Sequence, residues 1–293
     1  MIVVAGPASP MLSAKIAELL NAKLITPSFK TFPDGESYIR IDTPKALEGE
    51  TVIIVNTMYP DQNRRVIELL LATSIARDYG CDKLYTVIPY MAYARQDKRF
   101  LEGEAISLKV LAEIIGKVSD KVITVDLHSP ETISFFGKNA LNVTAMNDIG
   151  NFLSENYSFK NPLVVGPDQG ALDYAKTVAD ILGAEYSYCE KIRDRYTGEI
   201  TMSIKDIDVK NRDVIIVDDI ISTGGTVALA STNLKKIGAA SIIACCTHAL
   251  MVGEAEHKII SSGVSEILST DTIECKYTRI SVAKTIASEI RKL

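Results

Sequence analysis

The run Val214–Thr226 reads VIIVDDIISTGGT and carries groups suited to holding a phosphorylated sugar. Four apolar residues, Val214 to Val217, predict a buried strand with the carboxylates Asp218 and Asp219 at its end. Ser222, Thr223, Gly224, Gly225 and Thr226 follow, and a helical pattern begins near Val227. Small residues at the start of a helix expose successive main-chain N–H groups, which attract a phosphate. Ligands of open α/β sheets bind beyond the carboxyl ends of the strands, where these residues would stand. Paired carboxylates suit the vicinal hydroxyls of a ribose, each accepting an O–H donor. A capped helix after a strand would use some of the same residues, but the full pattern favours a site.

Other segments carry candidate chemistry. Asp168 follows an apolar strand in VVGPDQGA (Val164–Ala171), where it either caps a helix or faces a ligand. His128 follows another strand in VDLHSP (Val125–Pro130); a lone histidine is compatible with a structural role, and magnesium favours oxygen. In EKIRDR (Glu190–Arg195) the cations Lys191, Arg193 and Arg195 alternate. An extended segment would bring them to one face, as a polyphosphate clamp or as a charged hairpin edge. YARQDKRF (Tyr93–Phe100) concentrates Arg95, Lys98 and Arg99 in a polar loop, and FPDGE (Phe32–Glu36) is a turn around Pro-Asp-Gly.

The elements that must position these groups are legible as alternation. Strand patterns occupy Ile2–Ala5, Thr51–Val55, Leu84–Ile88, Val122–Val125, Leu163–Val165, Val214–Val217 and Ser241–Cys245. Helical spacing occupies Arg64–Tyr79, Ser107–Lys117, Leu172–Leu182 and Thr226–Ile237. Continuous apolar strands separated by helices predict parallel sheets covered on both faces, an α/β fold. TVIIVNTM (Thr51–Met58) echoes DVIIVDDI (Asp213–Ile220), and VITVD (Val122–Asp126) echoes IIVD (Ile215–Asp218), which suggests a duplicated unit. The 293 residues accommodate two domains, with a boundary near 140–150.

Charge and cysteine usage narrow the class. Thirty-two Lys and Arg against 37 Asp and Glu leave a net charge of −5, which argues against a bulk nucleic-acid or anionic-membrane surface. The five cysteines are irregularly spaced without a Cys-x-x-Cys pair, which fits a reducing cytoplasm better than a disulfide framework or zinc site. Cys245 and Cys246 read as buried core thiols. The start MIVVAGPASP reads as a first strand rather than a signal peptide, and no apolar run approaches a membrane span.

The run at Val214–Thr226 resembles the phosphoribosyl-pyrophosphate motif of type I phosphoribosyltransferases and of ribose-phosphate pyrophosphokinases. Taken together with the five further segments, which lead from Phe32 to this run ending at Thr226, it closely resembles the second family. That resemblance implies two similar domains of type I phosphoribosyltransferase-like fold, 1–145 carrying ATP segments and 146–293 carrying the ribose 5-phosphate loop and a catalytic loop. It implies Mg-dependent transfer of the β,γ-diphosphoryl group of ATP to the anomeric hydroxyl of ribose 5-phosphate, giving phosphoribosyl pyrophosphate and AMP for nucleotide biosynthesis. By position, Phe32, Asp34, Gly35, Glu36, Arg95, Gln96 and Asp97 would bind ATP, and His128 and Asp168 would hold magnesium. Lys191 and Arg193 would be catalytic. Asp218, Asp219, Ser222, Thr223, Gly224, Gly225 and Thr226 would bind ribose 5-phosphate. The partners implied are ATP, ribose 5-phosphate and further copies of the chain, as a homodimer or larger. Asp194 and Tyr196 depart from the family pattern after Lys-x-Arg. A phosphoribosyltransferase that spends phosphoribosyl pyrophosphate and a non-catalytic regulatory member remain alternatives at this point.

Overall fold

Runs of valine and isoleucine without polar alternation form the central strands, each covered on both faces. The computed structural model describes residues 1–193, 200–204 and 207–293, and the side chains of residues 191–203 lie outside that description. The chain divides into two units.

The first unit begins with β1 (Ile2–Ala5), α1 (Pro10–Leu20), β2 (Lys23–Ile25), β3 (Ser28–Thr31) and β4 (Ser37–Arg40). It continues through β5 (Thr51–Val55), α2 (Gln62–Asp78), β6 (Lys83–Ile88), α3 (Ser107–Val118), β7 (Lys121–Val125) and β8 (Ala140–Val143). Six strands form one sheet in the order β2-β1-β5-β6-β7-β8, with every neighbouring pair parallel. β3 and β4 form a separate antiparallel hairpin. Ile54, Leu69, Leu84, Ile88, Leu108 and Ile115 are fully buried in its core.

The second unit contains α4 (Met146–Asn156), β9 (Leu163–Gly166), α5 (Leu172–Leu182), β10 (Glu185–Arg193), β11 (Ile200–Ile204) and β12 (Asp213–Ile221). α6 (Gly225–Lys236), β13 (Ser241–Ala249), α7 (Ala255–Ser261), β14 (Glu266–Thr270) and β15 (Thr278–Ile280) complete it. The strand order is β11-β10-β9-β12-β13-β14-β15, parallel except for the β10–β11 hairpin. Alternation along β12 sends Val214 and Ile216 to one buried cluster and Ile215 and Val217 to another. Cys245 and Cys246 are buried core thiols, as read from the sequence.

Both units repeat one winding, β2-β1-β5-β6-β7 and β10-β9-β12-β13-β14. The echo between Thr51–Met58 and Asp213–Ile220 therefore joins equivalent strands, β5 and β12. The second echo does not, because β7 corresponds to β14.

Two expectations need correction. The strand expected at Val214–Val217 runs on to Ile221, because pairing with β13 continues through Asp218↔Cys246 to Ile221↔Ala249. The second domain, expected as 146–293, is not one continuous piece. The first unit comprises Met1–Thr144, Asp271–Glu274 and Ser281–Leu293, the second Ala145–Thr270 and Cys275–Ile280. The last helix, α8 (Ala283–Ile290), packs on α1, burying Ala283, Ile286, Ala287 and Ile290. Asp271 ties this tail down, accepting from Lys15 Nζ at 2.9 Å and from the Val282 N–H at 2.9 Å.

Candidate active site

In the second unit the chemistry gathers where the winding reverses. β9 leads outward to β10 on one side, and β12 leads to β13 on the other. Such a switch point leaves a crevice at the carboxyl ends of the two strands. β12 pairs with β9 only as far as Ile216↔Val165, so Asp218 and Asp219 extend past the end of that partner. Asp168 follows β9 on the same side of the reversal, and its carboxylate accepts the Gly170 N–H at 3.0 Å. The capping role considered for Asp168 is thus real, and it leaves acceptor capacity on the same carboxylate.

Main-chain donors orient the carboxylates of β12. The Asp219 N–H donates to Asp218 at 3.0 Å, and the Ile220 N–H donates to Asp219 at 2.8 Å. Burial pushes the Asp218 carboxyl well above its ordinary range, Asp219 and Asp168 push it further, and the Asp219 N–H opposes them. Like charges disfavour ionisation of Asp218, and a carboxylate so placed suits hydroxyl donors.

Ser222 and Thr223 lead into α6. Gly224 sits at its N-cap with φ of 74°, and no side chain caps the helix. The first-turn N–H groups have no intrahelical acceptor by construction. A Cβ on Gly224 would stand 2.9 Å from the Ala255 carbonyl oxygen. The Val252 N–H donates to the Ser222 carbonyl at 2.9 Å, so the loop rests on the segment after β13.

In the first unit the FPDGE residues form the β3–β4 turn. The Phe32 N–H donates to Glu36 O at 2.8 Å, the Gly35 N–H to Phe32 O at 2.9 Å, and the Glu36 N–H to the Asp34 carboxylate at 3.2 Å. Gly35 has φ of 96°, which explains the glycine. Phe32 is exposed and meets Tyr38 edge-on at 5.8 Å between ring centroids. The turn borders an open cleft of about 1040 Å³, lined also by Asn63, Arg64, Ile67, Tyr90 and Tyr93.

Arg95, Gln96 and Asp97 lie in the loop after β6, with Arg95 exposed. The Gln96 N–H donates to Tyr93 O at 2.9 Å. The Ser129 hydroxyl donates to Asp97, which joins the RQD segment to the segment of His128. His128 itself is exposed, just beyond the buried Asp126 and Leu127. Among the described residues no group of three His, Cys, Asp or Glu side chains forms a metal cage.

Lys191 and Arg193 stand two apart in β10, where their backbones pair with Met202 and Ile200 of β11. Their side chains, and Arg195 altogether, fall outside the described residues. Sequence reasoning did not single out Asn63, Arg64 or Tyr90. Helical spacing is legible from Arg64 onward, but only the fold shows that the start of this helix borders the FPDGE cleft.

Residues 1–118 match the family model described as the N-terminal domain of ribose phosphate pyrophosphokinase, and residues 138–278 match the phosphoribosyl transferase domain. A ribose-phosphate pyrophosphokinase of Methanopyrus kandleri is 38% identical over 100% of this chain and 99% of its own. Ribose-phosphate pyrophosphokinase 2 of Archaeoglobus fulgidus is 41% identical over 99% of this chain and 100% of its own. The crystal structure of phosphoribosylpyrophosphate synthetase from Mycobacterium smegmatis superposes with a TM-score of 0.87 at 26% identity, covering 99% of this chain and 97% of that one. By full-length similarity and by fold, the chain belongs to the ribose-phosphate pyrophosphokinase family.

Proposed function

We propose that this protein transfers the β,γ-diphosphoryl group of ATP to the anomeric hydroxyl of ribose 5-phosphate, releasing 5-phosphoribosyl 1-pyrophosphate and AMP. The observation that carries this reading is the switch-point crevice of the second unit, where Asp218, Asp219 and Asp168 stand beside the uncapped start of α6. Ser222, Thr223, Gly224, Gly225 and Thr226 hold the 5-phosphate on main-chain and hydroxyl donors. Asp218 and Asp219 accept from the ribose hydroxyls and set the anomeric oxygen. Phe32, Asp34, Gly35 and Glu36 form the adenine side, and Arg95, Gln96 and Asp97 hold ATP.

The anomeric oxygen attacks the β-phosphorus in line, the α,β bridging bond breaks, AMP departs, and the hydroxyl proton passes to water. Phosphoryl transfer asks for positioning and charge neutralisation more than covalent assistance. Lys191 and Arg193 neutralise the charge that builds on the transferring group and on AMP.

Magnesium fits the residues present. The Asp168 carboxylate is an oxygen donor with acceptor capacity left, and the ion commonly binds through one or two carboxylates with substrate phosphates rather than in an all-protein cage. When bound it supplies charge neutralisation along the polyphosphate. His128 and Asp168 are the residues proposed to hold it.

The free, mostly buried thiols support a reducing compartment, the cytoplasm. No helix among the described residues is long and apolar enough to cross a membrane. Exposed Ile67, Tyr93 and Val110 around a groove of about 390 Å³ support self-association as a homodimer or larger. Full activity from a monomer in light scattering refutes that part.

The decisive assay mixes the protein with Mg-ATP and ribose 5-phosphate. AMP and phosphoribosyl pyrophosphate are expected in equal amounts. ADP as the product, or no turnover, overturns the reading.

A further inference from the structure

The turn that carries His128 is held by a residue outside every motif above. β7 ends at Val125, and Asp126 takes φ of 39°, left-handed and rare for a residue with a side chain. Such a conformation persists only where its surroundings over-determine it. The Asp126 N–H donates to Val143 O on β8 at 2.9 Å. The Leu127 N–H donates to the side-chain oxygen of Asn142 at 3.0 Å, and the Thr124 hydroxyl donates to the same atom at 2.9 Å. A main-chain N–H can only donate, so the amide oxygen of Asn142, not its nitrogen, meets the turn. Thr124 and Leu127 are both buried, which leaves little room for water to replace that oxygen. Beyond the turn, the Ser129 hydroxyl donates to Asp97. His128 therefore sits between two anchors, Asn142 on one side and the RQD segment on the other.

We propose that Asn142 is a positioning residue for the ATP-side site: its single side-chain oxygen locks the Asp126–Leu127 turn and so fixes His128 and Ser129 against the RQD segment. The inference rests on the reading that Asp97 holds ATP and His128 the magnesium that accompanies it. The sheet itself does not depend on this oxygen, because β7 and β8 pair through four registered positions from Val122↔Ala140 to Val125↔Val143.

The test compares Asn142→Leu, which removes the acceptor at similar volume, with Asn142→Asp, which keeps an acceptor oxygen in place. Calorimetry measures the Kd for ATP with and without magnesium, kinetics measure KM for both substrates, and thermal melting monitors the fold. Asn142→Leu is expected to weaken ATP binding and raise its KM by about tenfold, with the ribose 5-phosphate KM within about twofold of wild type. Asn142→Asp is expected to restore ATP affinity to within about threefold. Should the leucine variant not fold, Asn142→Ala carries the same expectations. Wild-type ATP affinity in the variant without the acceptor, equal losses toward both substrates, or an aspartate variant as poor as leucine overturns the proposal. His128→Ala separates the two layers. If that variant impairs ATP use while Asn142→Leu does not, only the role of Asn142 falls. If His128→Ala leaves ATP use at wild type, the reading of His128 falls and takes this inference with it.

Discussion

Asp218 shows how a site residue can work against stability. Its carboxyl is raised by burial and by Asp219 and Asp168. A carboxyl with a raised folded value binds its proton more tightly when folded. Its contribution to stability is complete below the unfolded value of about 3.9 and is lost as pH rises through the folded value. Asp218→Asn removes that loss. In chelator, the variant is expected to melt above wild type at pH 8 and level with it at pH 4. Ribose 5-phosphate affinity should fall by about 10- to 100-fold, since hydrogen bonds to charged groups are the strong ones. Calorimetry showing unchanged sugar binding would remove Asp218 from the ribose site. For Lys191→Ala the expectation is a kcat loss of about 10²–10³ with a modest change in the KM for ribose 5-phosphate. Near wild-type turnover would take Lys191 out of the catalytic assignment. Asp218, Asp219 and Ser222–Thr226 were legible because strand, carboxylates and turn are contiguous. Asn142 was not, since its partners Thr124 and Leu127 lie on a neighbouring strand and in the turn that follows it.

At the level of elements, the loop into α6 distinguishes two adjacent glycines. Gly224 combines φ of 74° with a Cβ position 2.9 Å from Ala255 O and 3.0 Å from Ile259. Gly225 has no neighbour nearer than Thr223 Oγ1 at 4.0 Å. Gly224→Ala is expected to cost about 1–3 kcal/mol of stability. It should also raise the KM for ribose 5-phosphate, because the helix start must shift. Gly225→Ala should stay within about 0.5 kcal/mol in stability. Equal melting temperatures for the two variants would contradict the close approach of α7 to this loop. Periodicity placed α5 at its observed bounds, Leu172–Leu182. It stopped β12 at Val217, because the carboxylates broke the apolar run while the ladder to β13 continued.

Across the whole molecule, the two similar windings are used differently. At the switch point of the first unit the chain fills its own crevice. The Thr57 N–H donates to Ser9 Oγ at 2.8 Å, and the Thr57 hydroxyl to Thr272 O at 2.6 Å. The Glu274 carboxylate takes the start of α1, accepting the Met11 and Leu12 N–H groups at 2.8 and 2.9 Å. The position that takes anions in such folds is thus occupied by a side chain. Asp271, nearly fully buried, holds this segment to Lys15 and α8. Asp271→Ala is expected to cost about 1–3 kcal/mol, mainly by leaving the Val282 N–H without its acceptor. Amide exchange should quicken in α1 and α8 and stay unchanged in α5 and α6. Uniform acceleration across both units would refute this local role.

By itself the sequence determined the α/β class, the doubled unit and the turn that opens a helix after the paired carboxylates, because burial on both strand faces and a helix-start turn are written in contiguous residues. Tertiary structure decided what depends on strand order. It set Asp168 and Asp218, fifty positions apart, beside one reversal of the sheet. It joined Asp97 to Ser129 and Asn142 to the His128 turn. It returned the last helix to the first unit. None of these follows from local periodicity, because each is a non-local pairing selected by how the strands wind and what they bury.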